Sequence, residues 1–555
     1  MARAAKYLIL SFTLFLSALA HHPQLDATDG LETTRQVNRD APSGAPSFDT
    51  VCNPNFRSFD GTCTNPQHRL LGSKGRAHAS LEDAASSVVP TGADRPSARF
   101  VSNALCRQSM DAYNKRGVNE LAVFFGQFID HTIVSTPSGG DAFPIAVPND
   151  DPIFANVTGK LKFTRSARSG VEVRGQRTGA ERPTNALPAA LDLSTVYGDS
   201  KVRADALRSF RDGKLKNSSG NLLPLNDRGL SNSPNNSPGF FVAGETRVNE
   251  HPMLTCLHTL FMREHNSICD ELAQAYPDYN DEQLYQTARK INGAQFAKIV
   301  FEEFYPAMTG RALPAYRGFR PDVDVSILDV FSTAAFRVGH TMVGNVVRRV
   351  GRDGVSKSAL RMSETFFRGA DALADGIDDF LRAAAGTAAQ EVDLLVHDSV
   401  RDFLFTGVAE ESGVDLIALN IQRGRDHAIP GYARVRELVG LGTVRGFADM
   451  PAATAVRAAL MGVYGKVESV DAWVGMVAES KEGGMGETMG KVWEMQFERL
   501  RDGDAFYWRG DEGLMAMRGK VGRVTELFEG GGGMAAVLRR NSEVRPRPGR
   551  VFFVE

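Results

Sequence analysis

Leu121-Ala-Val-Phe-Phe-Gly-Gln-Phe-Ile-Asp-His-Thr-Ile-Val-Ser-Thr-Pro137 is the stretch on which the reading of this chain turns. Up to Ile133 it predicts a helix. Gln127 and His131 are four residues apart and Asp130 is three from Gln127, so on a 3.6-residue period all three share one face. The remaining residues are mostly apolar, which predicts burial nearly all round. A buried helix that turns an amide, a carboxylate and an imidazole to one side must find partners for them. Either neighbouring loops satisfy the three groups, or the groups line a pocket. In the second reading His131 works as a base near its natural pKa and Gln127 positions a ligand.

The chain around this stretch has globular composition: 555 residues, 42% hydrophobic and 23% charged, ample for a large core. A net charge of −2 and the lack of a long basic run leave no electrostatic footprint for nucleic acid. Residues 1–20 read as a secretory signal peptide. Arg3 and Lys6 give a basic start, Leu8 to Ala20 is short for a membrane span, and Ala18-Leu-Ala20 fits a small-residue cleavage site. An uncleaved anchor is the alternative. No other stretch is long and apolar enough to cross a bilayer. Residues 21–47 are polar and read as a flexible linker or propeptide, leaving 48–555 as the folded domain. Sequons at Asn156, Asn217 and Asn235 agree with export. In an oxidising compartment the spacing of Cys52 and Cys63 suits a loop-closing disulfide. Cys256 and Cys269 fall thirteen apart on one predicted helix, beyond disulfide reach, and with Cys106 are expected as buried thiols. Asp141 to Ser169, rich in Pro, Gly, Asn and Asp, predicts an irregular surface region.

Three further stretches bear on chemistry. Thr246-Arg247-Val-Asn-Glu250-His251-Pro252 leads into a long amphipathic helix, with Pro252 suited to its first turn. Phe336-Arg337-Val-Gly-His340 places a histidine among apolar residues. Leu419-Asn420-Ile-Gln-Arg423-Gly-Arg425-Asp426-His427 packs charges and a histidine into one short run. Taken singly, each has a plain structural reading: a surface arginine, a satisfied core histidine, a salt network. There is no His-Glu-x-x-His and no tight His/Cys/Asp cluster, which excludes a zinc hydrolase.

Together and in this order the stretches resemble the animal haem peroxidase (peroxidase–cyclooxygenase-like) superfamily. Gly126-Gln127-Phe128-Ile129-Asp130-His131 is similar to its distal motif. Asp60-Gly-Thr-Cys-Thr-Asn-Pro66, Met262-Arg-Glu-His-Asn266, Phe336-Arg-Val-Gly-His340 and the run from Leu419 to Tyr432 resemble others. The likeness runs from about Phe48 to Asn541. It implies a mainly α fold, a single large helical domain with b-type haem between a distal and a proximal helix. His131, Arg247 and Gln127 match the catalytic positions. His340 matches the axial ligand of the haem iron, with Asn420 expected to accept its other ring N–H. Arg337 and Arg423 match positions around the cofactor, Arg423 at a propionate. Asp130 and Glu250 match carboxylates esterified to haem methyl groups. His251 stands where one subgroup carries a Met with a sulfonium link, so that link is missing. Calcium is possible: Asp192 and Ser194 match two ligands. Thr132, however, replaces an Asp and Pro188 a Thr, and Asp192 and Ser194 alternatively cap the following turn.

The activity implied is that of a secreted haem peroxidase. It would reduce H2O2 and oxidise small donors such as phenols, iodide, bromide or thiocyanate through a ferryl haem. Neither nucleic acid nor stable membrane insertion after signal cleavage is expected. A fatty-acid dioxygenase of the same superfamily is the alternative enzyme. Those enzymes carry a radical-forming Tyr three residues before the proximal His, where this chain has Arg337. A non-catalytic matrix or adhesion protein with this fold is the alternative of a different class.

Overall fold

Helix α1 (Ala98–Leu105) precedes α2 (Glu120–Ile133), the helix predicted from the opening stretch. This computed structural model describes residues 52–82, 87–155, 159–173, 176–405 and 414–554. The signal-peptide and linker readings and the Asn156 sequon lie outside them. Asn119 caps α2: its side chain accepts from the Ala122 N–H and donates to the Ala385 and Val551 carbonyls. A cap of this kind contributes ~1 kcal/mol. The helix is buried on nearly every side, and Gly126, Gln127 and Asp130 mark its more open face. Phe128 stacks on Phe261 at 5.4 Å and meets Phe296 edge-on at 5.7 Å. Truncating such an aromatic to Ala costs ~3–5 kcal/mol.

Phe261 and Phe296 belong to α3 (Pro252–Ala275) and α4 (Asp281–Ile299), which pack against each other. Pro252 occupies the first turn of α3, as predicted, and Asn280 with Gln283 forms a capping box on α4. Helix α5 (Leu416–Asp426) is capped by Asp415, which accepts from the Ile417 and Ala418 N–H groups. In α6 (Glu487–Asp502), Trp493 packs on Phe336 at 4.9 Å and donates its indole N–H to the Ala335 carbonyl at 2.9 Å. That bond ties α6 to the segment carrying His340. The segment is not α-helical: it is a 3₁₀ stretch, Ala335–Thr341, after a short helix, Asp329–Thr333.

The region 141–169 departs from the expected irregular surface. Ser138–Ala142 pairs antiparallel with Thr164–Ser166, and Ile145–Ala146 with Lys160–Leu161. The pairings satisfy the backbone while Ile145, Phe154 and Phe163 enter the core. Strand β1 (Arg76–Ala77) joins a hairpin of β2 (Arg168–Val173) and β3 (Gln176–Asn185) in the order β1-β3-β2. Buried Arg99 on α1 bonds Asp151, Asp402 and Asp415, which locks this region to the foot of α5. Cys52 and Cys63 form the expected disulfide, and Cys106, Cys256 and Cys269 are buried thiols. Asn217 and Asn235 are exposed. No described helix is long and apolar enough to cross a membrane.

Candidate active site

A cavity of about 200 Å³ opens beside the polar face of α2. Gln127, Asp130 and His131 line it from α2, and Arg247, Glu250 and His251 from the approach to α3. Arg337 and His340 line it as well, and Phe336, Leu404, Leu416, Leu419 and Trp493 supply apolar wall. The pocket reading of α2 is therefore the one the fold adopts.

Arg247 sits in a 3₁₀ turn, Thr246–Asn249, and is buried, not solvated. Its Nε donates to Glu245 Oε1 at 2.8 Å, its backbone N–H donates to Glu245 Oε2 at 2.6 Å, and Nη2 donates to the Val134 carbonyl at 2.9 Å. A guanidinium so held keeps its charge and its direction. His131 lies between two carboxylates, with Nδ1 3.8 Å from Glu245 Oε2 and Nε2 3.9 Å from Glu250 Oε2. Burial, then the Arg247 cation, holds its pKa well below the ordinary value. His131 is thus a neutral imidazole near pH 7. Burial raises Glu250 to about 7, with Glu245 and Asp130 adding repulsion that Arg247 and a 3.1 Å bond from Gln127 Nε2 offset only in part.

His251 caps α3. Its Nδ1 accepts from the Met253 N–H at 3.1 Å, so a neutral ring carries its proton on Nε2. The ring stacks on Phe124 at 4.6 Å. Met253 is not among the residues lining this cavity.

Behind His340 the arrangement is the reverse of the one expected. Asn420 Nδ2, not the carbonyl, stands 2.9 Å from His340 Nδ1, because Arg337 Nη1 donates to Asn420 Oδ1 at 3.0 Å. A guanidinium has only donors and claims the carbonyl end. Arg423 is one turn further along α5 and is not among the residues lining the cavity. Its Nη1 meets the Thr164 carbonyl, Ser166 Oγ and Asp426, and its guanidinium lies over Phe163 at 4.3 Å. Asp426, three residues on in the same helix, is one of the partners that hold it there.

The expected calcium ligands do not fit a tightly held ion. Ser194 Oγ is bonded to the Thr132 carbonyl at 2.8 Å, and Thr132 Oγ1 to the Phe128 carbonyl at 2.9 Å. Asp192 Oδ1 accepts from the Ser194 N–H at 2.9 Å, the turn-capping alternative. Asp192 is the lone carboxylate of the set; burial raises its pKa to about 6, Arg57 and Arg289 offset this only in part, and its Oδ2 has no hydrogen-bond partner among the described residues. Calcium wants several hard oxygens, with more negative charge than this.

Two residues beside this site, Glu245 and His258, were not legible beforehand, and neither was the capping role of His251. Glu245 holds Arg247 from two positions upstream, a spacing that no periodic pattern marks. His251 caps α3, a role for which His carries little propensity. His258 donates Nδ1–H to the Thr195 carbonyl, 3.0 Å away, and burial lowers its pKa to about 3, which keeps it neutral.

The lining, mostly apolar with one histidine from the 3₁₀ stretch, suits a largely apolar ring that carries an iron. Among the described residues no group of three His, Cys, Asp or Glu is placed to hold a bare ion. An iron that arrives in its own macrocycle needs only one protein ligand, and His340 offers it. Glu250 Oε2 and His251 Nε2 are buried without hydrogen-bond partners among the described residues and belong to residues lining the cavity, as expected where a cofactor edge sits. The profile of the family described as animal haem peroxidase matches residues 56–520. Myeloperoxidase of Mus musculus is 33% identical over 582 residues, 91% of this chain and 79% of that protein. Peroxidase A of Dictyostelium discoideum superposes with a TM-score of 0.79 at 26% identity, covering 89% of this chain and 99% of that one. The fatty acid alpha-dioxygenase of Oryza sativa shares the fold, with a TM-score of 0.74 at 19% identity, covering 90% of this chain and 86% of that one. The chain belongs to the animal haem peroxidase family and is a haem-dependent oxidoreductase of the peroxidase type.

Proposed function

We propose that this peroxidase is exported, reduces H2O2 and oxidises small donors: phenols, iodide, bromide or thiocyanate. The observation that carries the reading is the placement of His131, Arg247 and His340 around one cavity. His340 would hold a b-type haem, which would supply the electrons for splitting the peroxide bond. Asp130 and Glu250 stand at the cavity wall as carboxylates for ester links to it, and Arg337 is the wall cation for a propionate.

His131 Nε2 takes the proton from the peroxide oxygen that remains and returns it to the oxygen that leaves as water. Its low pKa keeps it ready as a base at neutral pH. Arg247 offers a fixed positive charge as negative charge builds on the leaving oxygen, with Glu245 and the Val134 carbonyl preventing it from swinging away. The apolar wall limits water around these groups. Position 337 favours the peroxidase over the dioxygenase reading, because Arg337 has no phenol to carry a radical.

Export rests on residues 1–20, the disulfide and the exposed Asn217 and Asn235. The mature domain is read as 48–555. The test is to express the chain in a secretory host, sequence its N-terminus, record the Soret band and assay H2O2-dependent oxidation across phenol and halide panels. A haem-loaded protein with no peroxide-dependent turnover of any donor overturns the proposal.

A further inference from the structure

We infer that Glu245 is a positioning residue for both halves of the distal machinery: it clamps Arg247 and fixes His131 in the one tautomer that can accept a proton from peroxide. The inference rests on the peroxidase reading and adds to it a residue outside the cavity lining.

Glu245 is buried, with 5% of its surface exposed, and accepts two hydrogen bonds from Arg247, one at each carboxylate oxygen. The second of these, from the Arg247 backbone N–H, is also the cap of the 3₁₀ stretch Thr246–Asn249. Each carboxylate oxygen has a second lone pair. That of Oε2 is available to His131 Nδ1, 3.8 Å away, a buried atom without a hydrogen-bond partner among the described residues. The gap exceeds a hydrogen bond, but catalytic bonds are often long before the ligand is in place and shorten afterwards.

The logic of donors then fixes the ring. A carboxylate paired with a guanidinium only accepts, so the atom facing it must donate. A neutral imidazole has one N–H. With that proton on Nδ1, Nε2 is bare, and His131 lines the cavity. The opposite tautomer would present an N–H to peroxide and could accept nothing from it. Glu250 Oε2, 3.9 Å from Nε2, competes for this proton. Its neighbour Gln127 already donates to Glu250 Oε1, and an ester link to haem would remove its charge altogether. Glu245 has no such exit. The step balances: Nε2 gains the peroxide proton, Nδ1 keeps its own, and the imidazolium formed is paired with Glu245 until it returns the proton to the leaving oxygen as water.

The test uses the full haem-loaded chain and the variants Glu245→Gln and Glu245→Asp. Haem content, the Soret band and peroxide consumption by the wild type are read first, and a failure there counts against the peroxidase reading itself. With those in hand, stopped-flow mixing gives the second-order rate constant for H2O2. Glu245→Gln should lower it about 10- to 100-fold, as loss of a carboxylate behind a working histidine does. The KM for a phenol donor should be unchanged. Glu245→Asp, which keeps the charge, should recover most of the loss. A Glu245→Gln protein that reacts with H2O2 at the wild-type rate overturns the inference, and so does equal damage in both variants. Should Glu245→Gln not hold haem, 15N-histidine NMR of the wild-type ferrous carbon-monoxide complex reads the tautomer directly, with His131→Gln for assignment. A His131 proton on Nδ1 is the expected result, and one on Nε2 overturns the inference.

Discussion

Arg337 Nη1 donates to Asn420 Oδ1 at 3.0 Å, and this bond turns the amide nitrogen of Asn420 toward His340. An imidazole that binds iron through Nε2 carries its proton on Nδ1 and seeks an acceptor there. If His340 holds iron through Nε2, its Nδ1–H would call for an acceptor, which the Asn420 carbonyl would supply once the amide is turned over.

The axial role of His340 gives the first prediction. His340→Ala should yield folded protein lacking a normal Soret band. Asn420→Asp, whose side chain accepts at both oxygens when ionised, should keep the band and make the iron harder to reduce. Wild-type haem content in His340→Ala, or an unchanged reduction potential in Asn420→Asp, contradicts the assignment.

Asp130 and Glu250 are expected to bond covalently to haem after turnover with H2O2. Acidified organic solvent should then fail to extract the haem, and Glu250→Gln should release part of it. Full extraction from the turned-over wild type counts against the esters.

Before any ester forms, Glu250 imposes a pH dependence on the haem-free fold. Burial raises its pKa from 4.5 to about 7, so the folded chain binds this proton more tightly than the unfolded chain. The contribution is complete below pH 4.5 and is lost as pH rises through 7, on the order of 3 kcal/mol in all. Urea unfolding of the apoprotein at pH 5 and pH 8 should show a smaller difference for Glu250→Gln than for wild type. Equal pH dependence in the two shows that Glu250 does not carry the burden assigned to it.

Much of this architecture could be read from residue order. The face shared by Gln127, Asp130 and His131 followed from helical period, and Pro252 marked the start of α3. Side-chain partnerships were less legible. Arg423 was expected at the cofactor, but Asp426 on the same helix and Ser166 on a distant strand set its direction. Asn420 was expected to accept from His340, and the orientation depends on Arg337, 83 residues away. The strands between Ser138 and Ser166 were hidden because their residues are turn-formers, paired through backbone bonds that no side-chain pattern announces. Glu245 went unmarked because its function comes from a turn that folds it back on Arg247.

The calcium site yields a prediction from charge. Thr132 and Pro188 remove a carboxylate and a hydroxyl, and burial raises the pKa of Asp192 to about 6. After extensive dialysis the protein should hold well under one calcium per chain, and a chelator should leave its melting temperature unchanged. One tightly held calcium per chain contradicts this account of Asp192.

Halide preference follows from position 251. His251 has no thioether with which to draw electrons from the haem, and Met253 does not line the cavity. Chloride is the hardest of these donors to oxidise. Steady-state halogenation of monochlorodimedone should therefore run well with iodide and poorly with chloride at matched concentration. Comparable turnover of the two refutes the argument from His251.

The central claim is that His131 and His340 work on the two sides of one haem. Stopped-flow absorbance of the purified chain mixed with one equivalent of H2O2 tests it most directly, with His131→Ala alongside. The wild type should show a Soret band that shifts at a rate proportional to peroxide concentration. His131→Ala should retain the resting band and react about 100-fold or more slowly, the weight of a general base. A His131→Ala protein that retains haem and reacts with peroxide as fast as wild type would contradict the account.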